Sequence, residues 1–247
     1  MVDDAVWGAA VVLAFAAVAQ WRRAWTLRWA APARWLAWTL TAFATSAALF
    51  TEGANRLLSA ATGLGHVGDP LARTALLAAA WLAPVLLVAL TSARINGSAV
   101  RRRALPCAAA VVILWAAYLS AAPTALLRSP SRDVAPDVGF VTYTLAGLAA
   151  LTVALIEVAV DARRYATTAT GPLRTGLRIV HVGCLLGLGY VLTMAVTTAA
   201  AFARPGPAAN AQAGVGRAVA VIAGLTVAAG CLTPAVSKTW HTIRRAT

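Results

Sequence analysis

The stretch LRTGLRIVHVGCLLGLGY, residues 173–190, places two arginines, a histidine, four glycines and a tyrosine in an otherwise apolar run. The run continues to Ala203 without a formal charge. About 20 mostly apolar residues in a helix are enough to cross a bilayer. The stretch therefore predicts a membrane-spanning helix over residues 176–203, and its polar residues and glycines are candidates for pairing, binding or helix packing.

The composition of the whole chain indicates the same solvent. Of the 247 residues, 60% are hydrophobic and 12% are charged, and the mean hydropathy is +0.75. A soluble domain carries about 25% charged residues. We therefore expect lipid to surround the chain, in a multi-pass protein of the cell membrane.

Seven segments are long and apolar enough to be spans. They lie near residues 4–21, 34–51, 72–93, 104–122, 138–160, 176–203 and 217–236. The predicted fold class is an all-α integral membrane protein, with a single bundle of seven transmembrane helices in residues 1–236 and a short basic cytoplasmic tail in residues 237–247. The first run follows acidic MVDD and precedes QWRR, which is the charge order of an anchor rather than of a cleaved signal peptide.

The charged residues behind the net charge of +13 are unevenly distributed among the predicted connections. Most of the 21 lysines and arginines fall in segments that are internal if the N-terminus is outside, and most of the eight acidic residues fall in external segments. Lys and Arg collect on the cytoplasmic side of membrane proteins. The pattern predicts an external N-terminus and a cytoplasmic C-terminus, and it explains the positive charge without nucleic acid.

The residues needed for common catalytic or cofactor sites are scarce. HExxH, GxSxG and P-loop motifs are missing, the only lysine is Lys238, and the three histidines lie in different segments. The three cysteines lie singly in apolar runs without metal-ligand spacing. We therefore expect no catalytic residues, no metal site, no cofactor and no enzyme activity, and keep an intramembrane enzyme as an alternative.

Four residues in the fifth and sixth predicted spans are the main candidates for a ligand site or an ion pair. They are Glu157, Arg178, His181 and Tyr190. Ionisable groups inside a membrane are rare and commonly functional, although a structural ion pair near the interface is the simpler interpretation. Counting residues from the predicted span ends places the first three at similar depth, which predicts that Glu157 faces the sixth span and pairs with Arg178 beside His181.

A second group of candidates lies on the predicted external side, after the second span. It comprises Glu52, Asn55 and Arg56 in TEGANRLLSA. Thr51 has the chemistry of a helix N-cap, and Glu52 in the first turn suits the positive end of the helix dipole. We expect this connection to be ordered, with short helical turns around residues 52–61.

Three glycines of the sixth span are candidates for helix packing. Gly176, Gly183 and Gly187 place small residues along the helix, and the last two have GxxxG spacing. Small residues allow the backbones of membrane helices to approach closely. The pattern predicts a central helix in contact with its neighbours.

The segment DARRYATTATGPLRTGLRIVHVGCLLGLGY, residues 161–190, resembles a family of actinobacterial multi-pass membrane proteins described as transporters. The resemblance rests on Arg163, Arg164 and Tyr165, on the LRTGLR stretch, and on the later Gly-Cys pair and GLGY ending. It extends over the seven predicted spans and implies a transporter. The family commonly continues into a cytoplasmic domain, whereas SKTWHTIRRAT follows here, so the resemblance implies that this domain is missing or supplied by another chain.

Two hypotheses for function remain open. The first is a non-catalytic membrane protein that senses or scaffolds, presenting its basic inner loops to a cytoplasmic protein or to anionic lipid. The second is a small-molecule transporter or exporter with a site between spans five and six. No span carries a charge at its centre, which favours the first because proton-coupled transporters usually need one. The sequence leaves the oligomeric state open.

Overall fold

The computed structural model describes residues 2–26, 31–64, 67–91, 97–120, 138–203 and 219–234. Every regular element within these ranges is a helix. The helices are α1 (Val2–Thr26), α2 (Ala31–Leu49), α3 (Glu52–Thr62), α4 (Gly68–Thr91), α5 (Gly97–Ser120), α6 (Val138–Thr168), α7 (Gly171–Ala203) and α8 (Val219–Pro234). His66 and the predicted tail at 237–247 lie outside the described residues.

The prediction of an all-helical membrane protein is confirmed at this level. Four helical segments in the described ranges are long and apolar enough to cross a membrane: Asp4–Thr26, Gly68–Ala89, Val141–Thr168 and Gly171–Ala200. Shorter apolar segments lie in α5 and α8. Large apolar side chains such as Phe15, Val160 and Leu192 are 73%, 59% and 67% exposed, as expected on surfaces that face lipid.

Two apolar clusters fill the interior of the described bundle. The first joins α1, α2, α4, α6, α7 and α8, and the second joins α4, α5, α6 and α7. Leu40, Leu86 and Val180 are almost fully buried in the first, and Leu114 and Tyr143 in the second. Helices α4, α6 and α7 contribute to both clusters, so they form the centre of the bundle.

The described part of the connection between α2 and α4 is helical, and hydrogen bonds fix both ends of that helix. Thr51 caps α3 by accepting a hydrogen bond from the Ala54 amide at 3.4 Å, and Gly63 ends the helix in the left-handed region with a φ of 70°. The Gly68 amide then donates to Asn55 Oδ1 at 3.0 Å, which fastens α3 to the start of α4. The predicted helical turns at residues 52–61 are confirmed as α3.

A tight antiparallel hairpin joins α6 to α7. Only Ala169 and Thr170 separate the two helices, and Gly171 turns the chain with a φ of 58°. The register follows from two close approaches. His181 lies opposite Ala159 with a 3.0 Å contact to its carbonyl oxygen, and Gly187 lies opposite Leu155.

Two glycines of α7 form its crossing with α8. A β-carbon on Gly176 would lie 2.6 Å from the Gly230 carbonyl oxygen, and one on Gly183 would lie 2.9 Å from the Val227 amide nitrogen. Both obstacles are backbone atoms, which cannot move aside as a side chain can. Gly187 instead faces Leu155 of α6, so the GxxxG pair contacts two different helices.

The helix directions define two ends of the bundle. The hydrogen bond between Tyr143 and Asp69 places the beginnings of α6 and α4 together, beside α3, and we call this the α3 end. The turn between α6 and α7 lies at the opposite end, which we call the hairpin end. The end of α1 and the start of α2 also lie there, because α2 runs from that connection to α3.

Candidate functional site

The hairpin end carries exposed positive charge from four helices. Among the side chains that the structure describes, the exposed arginines at this end are Arg22 of α1, Arg34 of α2, Arg163 and Arg164 of α6, and Arg174 and Arg178 of α7. Helices α6 and α7 have 31 and 33 residues, whereas about 20 residues cross a bilayer. Their joined ends therefore present Arg163, Arg164, Arg174 and Arg178, which we call the hairpin tip, on a rigid helical support.

The structure does not form the predicted pair between Glu157 and Arg178. Both side chains are exposed, and no salt bridge joins these two described residues. Given the observed register, Arg178 lies level with about residue 162, five residues or about 7.5 Å along the axis from Glu157. The prediction placed the helix ends near residues 160 and 176, but both helices continue to the turn at residues 169 and 170, and this changes the relative depth.

His181 has a different partner from the one predicted. Its Nδ1 lies 3.0 Å from the backbone oxygen of Ala159, and a carbonyl oxygen can only accept, so Nδ1 carries the proton in this contact. Ala159 is buried and His181 is half-buried between α6 and α7. The histidine therefore links the two helices of the hairpin one to two turns below the tip.

Tyr190 lies apart from the other three candidates. It is half-buried on α7, towards the α3 end, and packs against the second apolar cluster. Its neighbours there include Arg73 of α4, with which it lines a common cleft. The four predicted residues thus divide between two places in the bundle and do not form one site.

Among the described residues near the α3 end, an Asp, an Arg and a Tyr form a connected polar cluster. Asp69 Oδ2 accepts hydrogen bonds from Tyr143 Oη at 2.7 Å and from Arg73 Nε at 3.1 Å. The guanidinium carbon of Arg73 lies 4.7 Å from the centre of the Tyr143 ring. The side chain of Arg73 is 17% exposed and that of Asp69 is 33% exposed. We call these three residues the Arg73 cluster.

Aromatic residues of α5 and α6 support this cluster. The Tyr118 ring lies 6.2 Å from the Tyr143 ring and 5.7 Å from the Trp115 ring. Trp115 Nε1 donates to Thr74 Oγ1 at 3.0 Å, next to Arg73 in the chain. These contacts join α4, α5 and α6 beside the Arg73 cluster.

A small cleft adjoins the guanidinium. It has room for about one water molecule. The lining residues are Phe50, Arg73, Leu76, Leu77, Gly147, Leu148, Leu151 and Tyr190. A β-carbon on Gly147 would lie 3.1 Å from Arg73 Nη1, so this glycine leaves room for the guanidinium. The cleft combines one half-buried cation with a mostly apolar lining, and we call it the Arg73 cleft.

The predicted third span, residues 72–93, leaves Asp69 outside it, and the sequence alone does not indicate this cluster. Only the Asp–Arg pair has a local signal, because an Asp and an Arg four residues apart share one face of a helix. The helix begins at Gly68 rather than near residue 72, so both residues lie within it. The partner Tyr143 comes from α6 and is 74 residues away, which no local pattern indicates.

The external candidates Glu52, Asn55 and Arg56 have structural contacts in α3. Arg56 Nη2 and Glu52 Oε1 form an i,i+4 ion pair at 2.5 Å, with both side chains more than half exposed. Exposed pairs of this kind contribute about 0.3–0.5 kcal/mol. Asn55 connects α3 to Gly68, and a β-carbon on that glycine would lie 2.7 Å from Asn55 Oδ1.

Metal ligands do not gather in the part of the chain that the structure describes. No group of three or more His, Cys, Asp or Glu side chains there could hold an ion. Cys184 and Cys231 are buried and Cys107 is half-buried, and all three are free thiols. Comparison of the chain with protein-family models, curated proteins and solved structures finds no match.

Proposed function

We propose that the protein is a non-catalytic, seven-span membrane protein that senses or scaffolds at the cytoplasmic face, with its N-terminus outside. The observation that carries this proposal is the exposed arginine surface at the hairpin end, supplied by α1, α2, α6 and α7. Positive charge favours the cytoplasmic side. The α3 end, where Glu52 and Asp69 lie, is then external.

The rigidity of the hairpin tip supports a role in binding. Arg163, Arg164, Arg174 and Arg178 lie on two helices joined by a two-residue connection and linked by His181. A preorganised surface loses less conformational entropy on binding than a flexible loop. Each arginine near an anionic surface contributes about 1 kcal/mol. An acidic protein surface or anionic lipid headgroups would be attracted to such a tip.

Site-specific photo-crosslinking in cells tests this role. A photoreactive phenylalanine derivative at exposed Thr167 samples the tip, and the same group at exposed Val153 samples the lipid-facing surface of α6. We expect an adduct at Thr167 that decreases at least tenfold when the four arginines of the tip are changed to Gln. Equal adducts in the four-Gln variant, or the same adducts from Val153, would contradict the proposed role.

A second candidate function, small-molecule transport, is favoured by the Arg73 cleft. Transport requires that the cleft become accessible from both sides of the membrane. Leu76 is a half-buried lining residue, so Leu76→Cys reports on access to a membrane-impermeant thiol reagent. Labelling from the α3 end alone supports the scaffold or sensor, whereas labelling from both sides in oriented vesicles supports the transporter.

A further inference from the structure

Two exposed stripes of residues flank the contact between α6 and α7. Residues three and four apart lie on one face of a helix. The stripe of α6 comprises Ile156, Val160 and Arg163, that of α7 comprises Arg178, Val182 and Leu185, and all six side chains are exposed. Both stripes lie on the outer side of the hairpin, because Ala162 and Leu177 on its other side are buried in the first apolar cluster. We call the six exposed residues the hairpin face.

The two arginines of the hairpin face lie at one level. Arg178 is three residues from His181 and Arg163 is four residues from Ala159, both towards the turn that joins the helices. These steps correspond to about 4.5 and 6 Å along the helix axes, and His181 contacts Ala159 across the hairpin. Since packed helices lie about 8–10 Å apart, the long side chains of both arginines reach a phosphate placed between the helices.

Within the described residues, no carboxylate pairs with these arginines. No salt bridge there includes Arg163, Arg174 or Arg178. Asp161 lies two residues from Arg163 and therefore on roughly the opposite side of α6, and Glu157 lies six residues away, or about 9 Å towards the α3 end. Arg174, one turn beyond Arg178, is exposed and adds a third positive charge. An anionic group would complement this charge.

Counting along α6 places the arginines at the depth of lipid headgroups. The candidate span begins at Val141, and residues 141–160 contain Glu157 as their single charged residue. Twenty helical residues cover about 30 Å, which is the thickness of the hydrocarbon layer. Arg163 lies about 4.5 Å beyond Val160 along the axis, inside a headgroup layer of about 5–7 Å. The apolar residues of the hairpin face lie directly below it, at the depth of acyl chains.

We propose that the hairpin face binds an anionic phospholipid, with its phosphate between Arg163 and Arg178 and an acyl chain along the apolar residues of the face. The proposal names the partner of the hairpin tip, and it rests on the proposed function in taking that tip as a binding surface. Arginine is attracted to an anionic membrane surface, and its planar group donates paired hydrogen bonds to phosphate oxygens. A lipid is favoured over an acidic protein because the charged pair continues directly into an exposed apolar surface.

Photo-crosslinking of the purified full chain in nanodiscs tests the proposal. The bilayer is phosphatidylcholine with a minor fraction of phosphatidylglycerol. A photoreactive phenylalanine derivative at Leu185 samples the hairpin face, and the same group at Leu192 is the matched control, because both leucines are exposed on α7. Mass spectrometry of the adducts gives the ratio of phosphatidylglycerol to phosphatidylcholine. We expect this ratio to be at least threefold above that of the bilayer at Leu185 and equal to that of the bilayer at Leu192.

Two double variants with the same loss of charge locate the binding. Arg163→Gln with Arg178→Gln removes the proposed phosphate contacts, and we expect the ratio at Leu185 to fall to that of the bilayer. Arg22→Gln with Arg34→Gln removes two exposed arginines of α1 and α2 at the same end, and we expect the ratio at Leu185 to be unchanged. The unfolding transition of each variant checks its folded state. If the first double variant does not fold, Arg178→Gln alone decides the question, with an expected decrease of at least twofold.

A ratio at Leu185 equal to that of the bilayer in the parent chain would overturn the proposal. An equal decrease in both double variants would also overturn it, because the attraction would then be diffuse rather than located on the hairpin face. Arginine-dependent protein adducts at Thr167 in cells, together with the bilayer's ratio at Leu185, would overturn lipid binding but support the proposed function. Absence of both signals would overturn both.

Discussion

The hydroxyl of Tyr143 donates a 2.7 Å hydrogen bond to the carboxylate of Asp69, which joins the second turn of α6 to the first turn of α4. The same carboxylate oxygen accepts from Arg73 Nε. Tyr143 is 1% exposed, so its hydroxyl has little access to water if the bond is lost. The contact connects distant parts of the chain and fixes the geometry of the Arg73 cleft.

We expect Tyr143→Phe to lower the free energy of unfolding by about 1.5–3 kcal/mol, because a hydrogen bond to a charged group is removed while the ring packing is kept. Equilibrium unfolding in detergent measures the change. Tyr165→Phe on the same helix is the control, since no hydrogen bond to its hydroxyl occurs among the described residues. An equal, small effect of both substitutions would show that the bond to Asp69 contributes little.

The crossing of α7 and α8 predicts different effects for two glycines of one helix. Gly183→Ala brings a methyl group against the backbone of Val227 and should destabilise the protein by about 1–3 kcal/mol. Gly189→Ala enters open space and should be neutral or stabilising by about 0.5–1 kcal/mol, because alanine favours the helix. The shift in Tm of each variant checks this order. A tolerated Gly183→Ala would mean that the helices cross at a greater distance.

The absence of a Glu157–Arg178 salt bridge has a thermodynamic consequence. Glu157→Gln and Arg178→Gln should change stability independently, and the double variant should equal their sum within about 0.3–0.5 kcal/mol. A double-mutant cycle by thermal unfolding gives the coupling energy. A coupling well above this range would show that the two charges interact after all.

The parts of the fold that follow from local physical chemistry could be predicted from the sequence. Long apolar runs gave the helices and the membrane environment, and Thr51 with Glu52 gave the start of α3. The same local reasoning identified glycines of α7 as packing positions, and these glycines lie where α7 closely approaches its neighbouring helices. These features depend on residues that are close in the chain, so they can be inferred from the pattern of residue types.

The candidate site depended on information that local patterns do not contain. Glu157 and Arg178 were placed at one depth by assuming that each helix ends at the membrane boundary, whereas α6 and α7 continue into the hairpin. Asp69 lies before the predicted third span at residues 72–93, so the sequence does not place it in one helix with Arg73, although both lie in α4. Their partner Tyr143 became apparent only when α4 and α6 were side by side.

The orientation of the bundle decides whether the basic hairpin end can meet a cytoplasmic partner, and cysteine accessibility in intact cells measures it most directly. Ala61→Cys places a thiol on the exposed surface of α3, and Thr167→Cys places one beside the hairpin tip. The parent chain, whose Cys184 and Cys231 are buried and whose Cys107 is half-buried, gives the background. We predict that a membrane-impermeant maleimide labels Ala61→Cys in intact cells and labels Thr167→Cys only after permeabilisation. Labelling of Thr167→Cys but not Ala61→Cys in intact cells would contradict the proposed function.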